Sequence, residues 1–140
     1  MSEHLVFVYG TLRREGGRAM SERFPGARFV AEAEVGGSLY DLGAFPGVWL
    51  DSPGTTVVGE AYEVGDETLN ELDAFEAADN YRRRRAEITL AGGGSRAGWI
   101  YEPDPEVYYP RTLIASGDWV EYANTKTDRP EAARPEETRS

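Results

Sequence analysis

Two short stretches carry the side chains and backbone groups that could do chemistry. The first is Tyr9-Gly10-Thr11-Leu12, where the apolar run Leu5-Val6-Phe7-Val8-Tyr9 stops and gives way to Arg13-Arg14. Without a Cβ at Gly10 the chain can turn sharply and bring the backbone N–H groups of residues 10 to 12 together as a nest for an anion such as a carboxylate. The second is Leu72-Asp73-Ala74-Phe75-Glu76. Glu76 lies about 100° around a helix axis from Phe75, so it borders the buried face, where partial desolvation would raise a carboxyl pKa towards neutrality. A carboxyl tuned in that way can both accept and return a proton. From the residues alone, the plainer readings stay open: Gly10 as a tight turn and Glu76 as a solvated helix end.

The missing residue types narrow the chemistry further. The chain has no cysteine, so thiolate nucleophiles, disulfides and cysteine-ligated metals are excluded. Its one histidine, His4, precedes the first strand and reads as surface, which argues against a Ser-His-Asp triad or a histidine-rich metal centre. A carboxylate is left as the expected acid–base group, with a tyrosine as the alternative. The net charge of −10 opposes nonspecific nucleic-acid binding, and the Arg82 to Arg85 run would put only alternate side chains on one face of a strand. That run reads as a solvated or salt-bridged strand. No apolar stretch approaches the roughly 20 residues of a bilayer span, and the N-terminus lacks the pattern of a signal peptide, so a soluble cytoplasmic protein is expected.

Several elements must position the two stretches. The run from Leu5 to Tyr9 suits a central strand covered on both faces. Arg18 to Phe24 allows a helical turn or two. Ala27 to Leu42 alternates as a strand bent or bulged at Gly36-Gly37, Leu42 to Gly47 reads as an apolar loop packed on the body or lining a pocket, and Val48-Trp49-Leu50 reads as a short strand. Val57 to Val64 follows, with Val58, Ala61 or Tyr62, and Val64 as inward positions. Asp66 is expected to cap a helix with Leu69, Leu72 and Phe75 on one face, ending near Ala77-Ala78. Tyr81 to Leu90 and Ala97 to Tyr101 then read as strands joined by Gly92-Gly93-Gly94-Ser95. At 140 residues the chain reads as one domain over 1–122, with 123–140 as a charged, unfolded tail.

Taken together, Tyr9-Gly10-Thr11-Leu12, Leu39-Tyr40-Asp41 with Pro46, Gly59-Glu60 before Tyr62, Leu72-Asp73 with Glu76, Tyr81 with Arg83, and Ser116-Gly117-Asp118-Trp119 resemble the γ-glutamylcyclotransferase-like family, which includes γ-glutamylamine cyclotransferases and AIG2-like proteins. The resemblance runs from Val6 to about Trp119. It implies an α+β fold, a small, mostly antiparallel β-barrel with flanking helices, in which the turn and the glutamate meet in one cavity. It also implies an enzyme that closes a γ-glutamyl group to 5-oxoproline and releases an amine or amino acid, with neither metal nor other cofactor. Under that resemblance Glu76 is the catalytic residue, and Tyr9, Gly10, Thr11, Leu12 and Tyr81 bind a small γ-glutamyl substrate. The rival expectation is a non-catalytic module holding a small carboxylic acid in the same cavity. Ala77-Ala78 departs from the glycine that many relatives place soon after the acid, which leaves loop shape and substrate preference open.

Overall fold

The computed structural model describes residues 3–10, 12–14, 19–43, 45–50, 55–108 and 112–127. Among these described residues, seven strands and three helices follow in the order β1 Glu3–Val8, α1 Met20–Arg23, β2 Arg28–Asp41, β3 Pro46–Trp49, β4 Thr55–Gly65, α2 Asp66–Ala77, β5 Tyr81–Leu90, β6 Ser95–Pro103, β7 Thr112–Leu113 and α3 Trp119–Thr127. Five strands close on themselves in the order β2-β4-β1-β6-β5, with β5 returning to β2 at Ala33 and Glu34. Every pairing in this barrel is antiparallel except that of β1 with β6. The fold is the expected small β-barrel with helices on its flank.

The opening strand has both faces covered, as its unbroken apolar run requires. Leu5 and Phe7 point into the barrel, where they meet Val57, Ala61, Ile88 and Ile100, while Val6 and Val8 point out beneath the helices. On that outer side Leu69 and Leu72 of α2 are buried, and Phe75 packs edge-on against Phe24 with ring centres 5.5 Å apart. Each buried leucine contributes about 2 kcal/mol by leaving water. The helix therefore lies across the outside of β1 and β4, with its C-terminus near the end of β1.

Some local expectations are corrected. Asp66 does not cap α2: Gly65 holds the extended capping position, and Asp66 is the first helical residue, with its carboxylate 2.6 Å from His4 Nε2. His4 is thus half-buried against α2 rather than simply surface. β2 runs unbroken through Gly36-Gly37, where its pairing passes from β4 to β3, and the register shift falls earlier, between Phe29 and Ala31. The inward residue near the start of β4 is Val57, and Val58 is half-exposed. α3 continues to Thr127, past the expected boundary at 122, because Trp119 and Val120 are buried and Tyr122 Oη donates to Asp41 Oδ2 at 2.6 Å. The rest of the expected tail, 128–140, lies outside the described residues. Among the described residues no helix is long and apolar enough to cross a membrane.

Gly117 joins this last helix to the barrel. Its φ is +72°, its carbonyl accepts Val58 N–H at 2.8 Å, and an added Cβ would lie 1.9 Å from Thr56 O. Gly117→Ala should therefore lower unfolding stability by at least about 2 kcal/mol in a denaturant titration, through both the left-handed backbone and the clash.

Candidate functional site

The loop after β1 is held by a carboxylate beneath it. Arg13 N–H donates to Gly10 O at 3.0 Å and closes a turn, and Arg14 N–H donates at 3.0 Å to Oε1 of Glu60 on β4. Glu60 is 3% exposed and also accepts the Tyr62 hydroxyl at 3.0 Å. From the other side, Arg13 Nη1 donates at 2.8 Å to Asp118 Oδ1, at the start of α3. Arg13 Nε lies 3.8 Å from Glu60 Oε2, an ion-pair distance but too long for a hydrogen bond. The turn is thus fixed at once to the barrel wall and to the segment carrying Ser116-Gly117-Asp118.

Gly10 has a packing reason to be glycine. A Cβ there would stand 2.8 Å from Cγ of Pro46, the first residue of β3. Pro46 O in turn accepts the Tyr81 hydroxyl. Tyr81, Phe45 and Tyr108 form a mutual cluster with ring centres 5.7 to 6.2 Å apart. This confirms the expectation that the apolar loop before β3 packs on the body and faces a pocket.

Between these elements opens a cavity. Tyr9, Gly10 and Leu12 line it from the turn, Glu76 from the end of α2, Asp79 from the turn after α2, and Tyr81 from the start of β5. The structure therefore brings together every anticipated site residue it describes; Thr11 lies outside the described residues. Phe45, Pro46, Phe75 and Tyr101 also line it. α2 ends at Ala77, and Asn80, with φ of +67°, turns the chain into β5 so that Glu76 and Tyr81 face the same space. The Tyr9 hydroxyl is occupied within the protein: it donates to Tyr101 O at 2.7 Å and accepts Val48 N–H at 3.3 Å.

Burial dominates the electrostatics. The half-buried Glu76 carboxyl is pushed up to about 7, first by desolvation and then by the negative charge of Asp79. Desolvation likewise raises the phenols of Tyr9, Tyr81 and Tyr101, so all three stay protonated at neutral pH. Glu76 exchanges its proton near neutrality, and these phenols do not. Among the described residues, no group of three His, Asp or Glu side chains is arranged to hold a metal ion.

The sequence reading gave no site role to Glu60, Asp79 or Tyr101. Glu60 could have been found from its place in an apolar strand: an acid that close to Gly59 and Tyr62 needs buried donors, and Arg13-Arg14 supply them. Nothing local marked Tyr101, whose position depends on the pairing of β6 with β1.

Residues 6–121 match the sequence profile of the gamma-glutamyl cyclotransferase, AIG2-like family. A Vibrio cholerae protein named "Putative gamma-glutamylcyclotransferase" is 37% identical over 122 residues, which cover 85% of this chain and 97% of that protein. The gamma-L-glutamyl-butirosin B gamma-glutamyl cyclotransferase of Niallia circulans is 31% identical over 84% of this chain and 76% of its own. The crystal structure of YkqA from Bacillus subtilis superposes with a TM-score of 0.73 at 26% identity, covering 92% of this chain; the match spans 44% of YkqA. The barrel, its cavity and these matches define a γ-glutamylcyclotransferase-like protein. The chain belongs to the gamma-glutamyl cyclotransferase, AIG2-like family.

Two stability measurements test the site. Glu60→Ala should cost about 3 kcal/mol in unfolding free energy, because it strands Arg14 N–H, the Tyr62 hydroxyl and a buried Arg13 together. Glu76 acts in the other direction. Its folded pKa lies above the ordinary 4.5, so its favourable contribution is complete below that value and is lost as pH rises through about 7. Thermal melts should therefore show Glu76→Gln gaining stability relative to wild type between about pH 5 and 8, with little difference at pH 4.

Proposed function

We propose that this cavity cyclises the γ-glutamyl group of a small amine or peptide conjugate to 5-oxoproline, releasing the amine or amino acid. The observation that carries this reading is a half-buried carboxyl, poised near pH 7, in the same cavity as the turn that follows β1. The name of the Niallia circulans relative, which specifies a γ-glutamyl conjugate, supports the substrate class.

In the proposed reaction the backbone N–H groups of residues 10 to 12 hold the substrate's α-carboxylate, which aims the α-nitrogen at the γ-carbonyl carbon. Glu76 takes one proton from the α-ammonium. The freed amine attacks, the new C–N bond closes the five-membered ring, the bond to the departing nitrogen breaks as Glu76 returns the proton to it, and Glu76 then takes the second proton shed by the ring nitrogen and passes it to the released amine, which leaves as an ammonium. Nucleophile and electrophile belong to one molecule, so the protein has only to impose the folded conformation and move two protons in turn from one nitrogen to the other. The surrounding aromatic walls, Phe45 and Tyr81 among them, exclude water from the ring closure. The absence of cysteine fits a reducing, cytoplasmic place of action.

Incubation with a panel of γ-glutamyl amines and peptides, followed by mass spectrometry, should reveal 5-oxoproline. Glu76→Gln should remove about a thousandfold of the rate while the fold persists. For the wild type, kcat/KM should rise with pH as Glu76 ionises around pH 7. A Glu76→Gln enzyme with near wild-type turnover would overturn the assignment.

A further inference from the structure

The hydrogen bonds around the cavity sort its walls by what they can still offer a ligand. A phenol has one proton, and each of the three cavity tyrosines has already given its proton away. Tyr9 donates to Tyr101 O, Tyr81 donates to Pro46 O, and Tyr101 Oη donates to Asp73 Oδ1 at 2.7 Å. For Tyr101 the arrangement is held from behind. Arg83 Nε sits 3.2 Å from the same Asp73 oxygen, and its guanidinium lies 4.3 Å over the Trp99 ring. The Asp73 oxygen is thereby held in place as the acceptor by two partners at once. The charge of Glu76 acts on the Tyr101 phenol, which places the two in one electrostatic neighbourhood.

With their protons committed, Tyr81 and Tyr101 have only oxygen lone pairs left to present, beside the carboxylates of Glu76 and Asp79. This side of the cavity is therefore a wall of acceptors, and the reaction proposed above assigns the α-carboxylate to the backbone of the turn after β1, which lines the same cavity. A zwitterionic amino-acid head would then turn its ammonium to the acceptors and its carboxylate to the turn.

We infer that Tyr101 is a further substrate-binding residue, accepting a hydrogen bond from the α-ammonium, and that Asp73 and Arg83 are positioning residues that keep its proton turned away from the cavity. The inference rests on the proposal that a γ-glutamyl head occupies this site. It gives a purpose to Leu72-Asp73 and to Arg83, which the proton transfer by itself leaves unused. Tyr101 and Glu76 would share the N–H bonds of one amine, directing the lone pair that deprotonation frees.

L-Glutamate and glutarate test this without turnover, since the two differ only in the α-ammonium and neither can release an amine. Calorimetry on the wild type should show L-glutamate binding about tenfold more tightly. Tyr101→Phe should reduce that preference to about twofold and leave glutarate affinity within twofold of wild type. Asp73→Ala should do the same by letting the hydroxyl turn and donate into the cavity. A wild type with no preference, an equal loss for both ligands, or a preference intact in both variants would overturn the inference. A wild type that discriminates the pair yet forms no 5-oxoproline would support the ammonium contact while removing the reaction proposed above.

Discussion

One carboxylate with almost no access to water holds the arrangement together. Glu60 points outward from β4 under the loop that leaves β1, and it takes the Arg14 N–H and the Tyr62 hydroxyl while lying near two guanidinium groups. A buried charge is tolerable only when surrounded by donors, and this one gathers them from the chain segment that needs fixing. The loop would otherwise be a glycine turn with few apolar anchors of its own. Because Arg13 also reaches Asp118, the same tie secures the N-terminal end of α3. β4, the turn and the last helix are thereby coupled through a few polar contacts in an otherwise apolar body.

Much of this architecture was legible in the sequence where local pattern and burial agree. Leu5 to Tyr9 announces a strand covered on both faces, Leu69, Leu72 and Phe75 announce the helix, and three glycines with φ near +90° to +115° occupy the hairpin where no neighbour would oppose a side chain. The misreadings occur where a distant contact decides. Asp66 has the right chemistry for a cap, yet His4, sixty-two residues earlier, takes its carboxylate, while Gly65 supplies the extended backbone before the helix. Gly36-Gly37 looks like a break, but β4 and β3 pair on either side of it and carry the strand through. At the site, Gly10 and Glu76 could be singled out from their own neighbours. Tyr101 could not, because its meaning comes from Asp73, twenty-eight residues before it, and from the barrel register that lays β6 alongside β1.

The cavity combines conditions that oppose each other in solution. A carboxyl dry enough to be raised to about 7 is poor at holding charge, but a proton shuttle near neutrality needs that balance between its two forms. Asp79 contributes to it as a second negative charge on the turn after α2, where Tyr108 Oη donates to its backbone carbonyl at 2.8 Å. The aromatic cluster of Phe45, Tyr81 and Tyr108 supplies the desolvating wall without introducing a titrating group near pH 7. Burial therefore sets both the tuning of Glu76 and the shape of the space it faces.

The same hydrogen bonds constrain how negative charge on the substrate carbonyl could be met in the proposed ring closure. The protons of Tyr9, Tyr81 and Tyr101 are spoken for within the protein, and turning any of them inward would break a contact that holds a wall in place. Charge growing on the γ-carbonyl oxygen must then be met by backbone N–H groups, or relieved by early protonation of the departing nitrogen. Glu76 carries the proton needed for the second course as soon as it has deprotonated the amine. In the proposed reaction one carboxyl beside an acceptor wall serves the whole aminolysis, because each proton that leaves the attacking nitrogen is one that the departing amine takes up.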